Sequence, residues 1–423
     1  MNLTPSQSRV RTLIAALSAL LLAAGAAAVA ATTLAGAAGA AASTAGAAAL
    51  SANWYESAPY YSTLDSNGPN LPQVMAATGQ KAFEMAFILA GNGCSPSWDG
   101  TDPVSSDTQV AATISQVRGA GGDVIVSAGG YNGTKLGQVC GSASATAAAY
   151  QQVITAYGLH AIDFDLEEPE IENSSAIASE LGAAQILQAG NPGLFVSVTM
   201  PSTTTGANYF GQLLLNEAKS LGFTPNDYTI MPFDGGLSGG SSQVTALRDF
   251  NAQLSGTFGW SSAQAYAREG FSGMDGRTDS AEYFYQSDFQ TVLSFAQSAG
   301  MTRYTFWSVN RDRVCNPVNN GFTSSECSSV AQNPWDFTAY TVAFAKGAPV
   351  TPPTSPAPTP TATATPSPTP TSGGCTASAW STGIAYVSGS VVSYGGGKWT
   401  ANQWNYNEVP GGPSGAWNND GPC

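Results

Sequence analysis

Positive charge is scarce in this sequence. Lys and Arg number 14 against 28 Asp and Glu, for a formal net charge of −14. Phosphate binding needs clustered Lys and Arg, and no basic patch occurs, so a nucleic-acid partner is excluded. Histidine is scarcer still: His160 is the only one. The cysteines number 6, and none forms a CxxC pair. Together these absences argue against a zinc site. Charged residues of either sign make up 10% of the chain. The abundant Ser, Thr, Asn, Gln and Tyr suit a neutral, hydroxyl-rich ligand.

What the chain does have is clearly ordered. Arg9 and Arg11 precede the apolar run "TLIAALSALLLAAGAAAVAA", and small residues follow to about Leu50. Residues 1–50 are predicted to be an export signal with an Ala-rich tail, in preference to a retained membrane span. An exported protein with an even cysteine count predicts disulfides. Sequential pairing is expected: Cys94 with Cys140, Cys315 with Cys327, Cys375 with Cys423. The expected product is extracellular, monomeric and free of the membrane once the signal is removed.

A Pro/Thr-rich stretch, residues 347–374, cannot form a core. At about 3 Å per residue it spans roughly 80 Å. It separates a large domain, 52–346, from a small one, 375–423. In the large domain, β-rich runs begin near residues 57, 82, 123, 161, 194, 227, 267 and 303, with helical patterns between them. Repeated strand–helix units predict a parallel sheet, and eight of them predict a (β/α)8 TIM barrel. An open doubly wound sheet is the alternative, but no GxGxxG follows the first strand.

The stretch "HAIDFDLEEPEI", residues 160–171, carries the chemistry. Asp163, Asp165 and Glu167 alternate with Ile162, Phe164 and Leu166. On a strand, residues two apart share a face about 7 Å apart. Crowding three acids in a low-dielectric interior is costly and raises a carboxyl pKa, as a general acid requires. His160, at the start of this run, is read as a buried or capping residue, with a catalytic base as the alternative.

"DFDLE" resembles the D-x-x-D-x-D-x-E signature of family 18 glycoside hydrolases, the chitinase family, with His160 in place of the first Asp. "VSAGG", with Gly129 and Gly130, resembles that family's third-strand motif. "MPFD", Met231 to Asp234, resembles its sixth, and "FWSVNRD", with Trp307, its eighth. The resemblance implies a hydrolase acting on N-acetylglucosamine polymers without an enzyme nucleophile and without a metal or cofactor. It implies Glu167 as acid, Asp165 orienting the substrate's acetamido group, and Asp163 tuning Asp165. Met231, Phe233, Asp234, Trp307, Gly129, Gly130 and Met274 are the expected substrate contacts, with Asp275 and Asp279 as further groove candidates. Phe233 stands where many members have Tyr, which implies a slower reaction unless Tyr228, Tyr283 or Tyr304 supplies the missing hydroxyl. Only about 33 residues separate Met274 from Trp307. That leaves no room for an inserted subdomain, and implies an open groove and internal cleavage.

The small domain resembles the chitin-binding modules of carbohydrate-binding families 5 and 12. That likeness implies a small all-β fold with Trp380, Tyr386, Trp399 and Trp417 mostly in the core. Trp404 and Tyr406 would then stack on sugar rings. Chitin or N-acetylglucosamine oligosaccharides are the expected partner. Two alternatives are a non-catalytic chitin-binding lectin and an endo-β-N-acetylglucosaminidase on glycoprotein glycans.

Overall fold

The computed structural model describes residues 49–319, 321–351, 377–381, 385–386, 390–401, 405–406, 409–412 and 416–422. The N-terminal 1–48, most of the Pro/Thr stretch, Trp404, the Tyr406 side chain, Cys375 and Cys423 lie outside this set. Among the described residues, no helix is long and apolar enough to cross a membrane.

Eight parallel strands alternate with eight helices. The strands are β1 (Tyr60–Ser62), β2 (Ala82–Ala90), β3 (Asp123–Gly129), β4 (Ala161–Asp165), β5 (Phe195–Thr203), β6 (Asp227–Met231), β7 (Glu269–Met274) and β8 (Arg303–Trp307). The helices are α1 (Leu71–Thr78), α2 (Gln109–Gly119), α3 (Ala143–Tyr157), α4 (Ser174–Gly190), α5 (Tyr209–Leu221), α6 (Gly239–Phe258), α7 (Gln286–Ala299) and α8 (Thr338–Lys346). Each strand pairs in parallel with the next in chain order. Between β8 and β1 there is no strand ladder. The Tyr304 N–H instead donates to Glu56 O and the Val309 N–H to Tyr60 O, both at 2.9 Å.

Strand character follows from burial on both faces, which favours continuous apolar runs. Every residue of β3 and of β4 is buried. On β4 the apolar side chains face the helices, where Phe164 meets Tyr150 of α3 edge-on at 5.2 Å. The alternate positions, Asp163 and Asp165, face the other way. Helix ends are set locally. Ser142 caps α3 by accepting from the Ala145 N–H, and Gly158 ends it in the left-handed region at φ 56°. α2 runs through Gly119 to the cap Ala120, and Gly121 beyond it takes the left-handed φ of 84°.

Cys94–Cys140 and Cys315–Cys327 are disulfide-bonded, in the expected pairing. The connection from β7 to β8 holds a short hairpin, Gly276–Arg277 with Tyr283–Phe284, and α7. No further domain is inserted there. In the C-terminal segment, Val391–Tyr394, Gly397–Ala401 and Trp417–Pro422 form an antiparallel sheet. Tyr386 and Trp417 are buried in its small core, and Trp380 and Trp399 pack against it half-buried.

Candidate active site

The C-terminal end of β4 gathers the acids. Asp163 is fully buried and saturated with donors. Its Oδ2 accepts from Ser127 at 2.8 Å and Tyr60 at 3.2 Å. Its Oδ1 accepts from Thr199 at 2.8 Å and lies 3.5 Å from Arg303 Nη1. Asp165, also buried, is the opposite case: its Oδ1 has no partner. Burial, with Glu167, Asp163 and Glu84 nearby, pushes its pKa well above the ordinary carboxyl range. β4 ends at Asp165, so Glu167 stands just beyond the strand, half-buried. Burial pushes its pKa up to about 8, with Glu168, Asp279 and Asp234 adding and Lys135 opposing. A carboxyl that keeps its proton near neutral pH can act as a general acid.

The glycines of β3 explain how close this packing is. A Cβ on Gly129 would lie 1.9 Å from Asp165 O, and one on Gly130 would lie 2.7 Å from the Phe87 ring. Both residues also have φ in the left-handed half, 117° and 79°. The Gly130 N–H donates to Asp165 O at 2.9 Å, tying β3 to the end of β4. Beyond them, Lys135 is buried and its ammonium donates to the carbonyls of Tyr131, Asn132 and Gly133.

Trp307 ends β8 with one face covered. Its ring stacks on Phe87 at 5.5 Å and 9°, and Tyr60 tilts against it at 5.9 Å. This apolar base is suited to a sugar face. Phe87 escaped the sequence reading because an aromatic in a strand is ordinarily core.

The β6 end is organised by a residue the sequence did not flag. Glu282 accepts from the N–H groups of Asp234, Gly236 and Leu237 at 2.7–2.8 Å. Asp234, at φ 55°, accepts in turn from the Ser280 N–H at 2.6 Å. Met231 is buried and Phe233 half-buried beside them. Two expected substitutes for the missing hydroxyl are excluded. Tyr228 donates to Phe223 O at 3.2 Å and Tyr304 to Phe289 O at 2.8 Å, both buried away from the acids. Tyr283 remains: its hydroxyl oxygen accepts from Arg277 and Asn319, leaving its proton uncommitted.

Other expectations are corrected. Asp275 is no groove residue: it is buried and accepts from Arg311 Nε at 3.0 Å and the Ser308 N–H at 3.2 Å. Met274 is buried beside it, whereas Asp279 is exposed. His160 lies at the other end of β4, bonded through Nδ1 to Asp123 at 2.9 Å. A role as catalytic base is therefore excluded by position.

No protein-family model matches the chain. The catalytic domain of a hyperthermophilic chitinase from Pyrococcus furiosus superposes with a TM-score of 0.62 at 25% identity, over 69% of this chain and 94% of that domain. The fold is that of a chitinase catalytic domain. Catalytic-site mutants of active domain 2 of the Pyrococcus furiosus chitinase, complexed with chito-oligosaccharides, match with a TM-score of 0.61 at 24% identity, over 68% of this chain and 94% of that one. Among curated proteins, a probable bifunctional chitinase/lysozyme of Escherichia coli (strain K12) is 26% identical over 275 residues, 60% of this chain and 30% of its own length. Endochitinase 11 of Metarhizium anisopliae is 25% identical over 273 residues, 60% of this chain and 52% of its own. The chain thus spans about a third to a half of the curated relatives' length.

Proposed function

We propose that this protein is a secreted, endo-acting chitinase. The observation that carries the proposal is Glu167. It is a half-buried carboxyl with its pKa raised to about 8, beside buried Asp165 at the strand ends where such sheets place their active sites. In the proposed reaction, the Glu167 proton passes to the glycosidic oxygen as the bond to the anomeric carbon breaks. The substrate's own acetamido oxygen attacks that carbon, forming an oxazolinium ion. Asp165 accepts from the acetamido N–H and stabilises the cation, while Trp307 supports the sugar. Glu167, now a carboxylate, takes a proton from the water that opens the ring, and the configuration is retained.

Endo action rests on the short β7–β8 connection, which leaves the groove without an added wall. In the proposed organisation, residues 52–346 form a closed (β/α)8 catalytic barrel and 347–374 a tether. Residues 375–423 form the chitin-binding module, with Trp404 and Tyr406 as its sugar contacts and Cys375–Cys423 as its clasp. Residues 1–50 direct export. A chitin-binding lectin is the second reading, favoured by Phe233 in place of a hydroxyl donor. The test is product analysis on chitohexaose and colloidal chitin. Wild type is expected to release internal-cleavage products, and Glu167→Gln to lose at least about a thousandfold in kcat while still binding chitin. A wild type that binds without cleaving would establish the lectin reading.

A further inference from the structure

The inner face of the sheet buries more carboxyls than its cation can neutralise. Glu84 of β2, Asp163 and Asp165 of β4 and Asp227 of β6 are all fully or almost fully buried. The cation that reaches them is Arg303 of β8, itself completely buried. Its Nη2 donates to Glu84 Oε2, and its Nη1 lies 3.5 Å from Asp163 Oδ1. Asp227 is served by hydroxyls instead, Ser197 and Thr229, each at 2.7 Å.

These four carboxylates, with Glu167 beside Asp165 and Glu56 near Asp227 and Arg303, cannot all stay ionised in a dry interior served by one guanidinium and the more distant Lys135, so protons must be held among them. The donors decide where. Tyr60 of β1, Ser127 of β3, Thr199 of β5 and Arg303 of β8 all direct hydrogens at Asp163. Hydroxyls can turn to suit a protonated acid, but a guanidinium can only donate and never loses its charge. Asp165 faces the same interior with an unpartnered oxygen.

We infer that Arg303, held in place by Glu84, is a positioning residue that keeps the negative charge of the acid line on Asp163 and the proton on Asp165. This is the arrangement in the free enzyme. To stabilise the oxazolinium cation, Asp165 passes that proton to Asp163, so the pair keeps one proton and one negative charge throughout. The inference rests on the proposed chitinase reaction and adds Arg303 and Glu84 to it. Neither touches substrate; both act through Asp163.

The test is the pH dependence of kcat/KM on chitohexaose. Its acid limb reports the loss of the single negative charge shared by Asp163 and Asp165. Arg303→Met removes the cation, so the limb is expected to move up by about one pH unit. Arg303→Lys keeps the charge and should restore the limb. Glu84→Gln keeps the side-chain shape and an oxygen that accepts from Arg303. Although it costs stability as a broken buried pair, in the folded fraction it frees the guanidinium's charge for Asp163, and the limb should move down. KM should stay within about twofold throughout. Opposite shifts for the two sites support the inference. An unmoved limb, or shifts of the same sign, overturns it and leaves a purely structural pair. Should wild type leave chitohexaose intact, the function proposal fails. The placement of charge is then read from carboxyl carbon NMR titration of wild type and Glu84→Gln, where an unmoved Asp163–Asp165 titration overturns it.

Discussion

Asp123 and Asp165 are the same residue type at opposite ends of neighbouring strands, and they behave in opposite ways. Asp123 opens β3. Burial alone would raise its pKa, but donors from Tyr55, His160 and Arg118 outweigh it and hold the pKa below the ordinary value. Tyr55 donates at 2.6 Å and Arg118 at 2.8 Å. Asp165 closes β4 with an oxygen that no group serves, and its pKa goes up. Burial is common to both; donors and the Arg118 charge at Asp123, against the neighbouring carboxylates Glu167, Asp163 and Glu84 at Asp165, separate them. An acid with every lone pair answered is part of the scaffold. An acid buried without donors is held ready for a ligand to answer it.

The largest effect that can test this comparison is on rate. Asp165→Asn should lower kcat on chitohexaose by roughly a hundredfold or more while leaving the melting temperature unchanged or raised. Asp123→Asn should do the reverse. Breaking a buried pair costs about 3 kcal/mol, seen in urea unfolding, with kcat of the folded fraction near wild type. If both substitutions cost rate and neither costs stability, the division between scaffold and chemistry is wrong.

A smaller effect concerns acids buried elsewhere in the domain. Burial raises the pKa of Glu180 and Asp312 to about 7 and of Asp227 and Asp275 to about 6. Above the unfolded carboxyl pKa, the native state holds protons that the unfolded chain has released. Stability therefore falls as pH rises from about 4.5 through these values. Calorimetry should show a melting temperature lower by about 5 °C or more at pH 8.5 than at pH 5. A higher melting temperature at pH 8.5 would show that these carboxyls are ionised in the folded protein.

The same contrast marks what the sequence could disclose. The acid line was legible because a period of two is a local signal, and Asp163, Asp165 and Glu167 repeat it inside an apolar run. The eight strand positions were legible from another local signal, β-rich runs alternating with helical patterns. Partnerships across the sheet were not. Arg303 meets Glu84 at a separation of 219 residues, and no local pattern joins them. Glu84 is nonetheless the only charge in the apolar strand "AFEMAFILA", which is the signal that could have singled it out. Asp275 looked like a groove acid because the arginine that claims it, Arg311, lies 36 residues further on. Tyr228 and Tyr304 looked available because a sequence does not say which way a hydroxyl points.

The most direct test of the central claim, that burial among carboxylates makes Glu167 the acid, is the alkaline limb of the wild-type pH profile of kcat/KM on chitohexaose. N-acetylglucosamine does not titrate in this range, so the limb belongs to the free enzyme. A limb near pH 8 is the predicted result. A limb near pH 4.5, the ordinary carboxyl value, would contradict it.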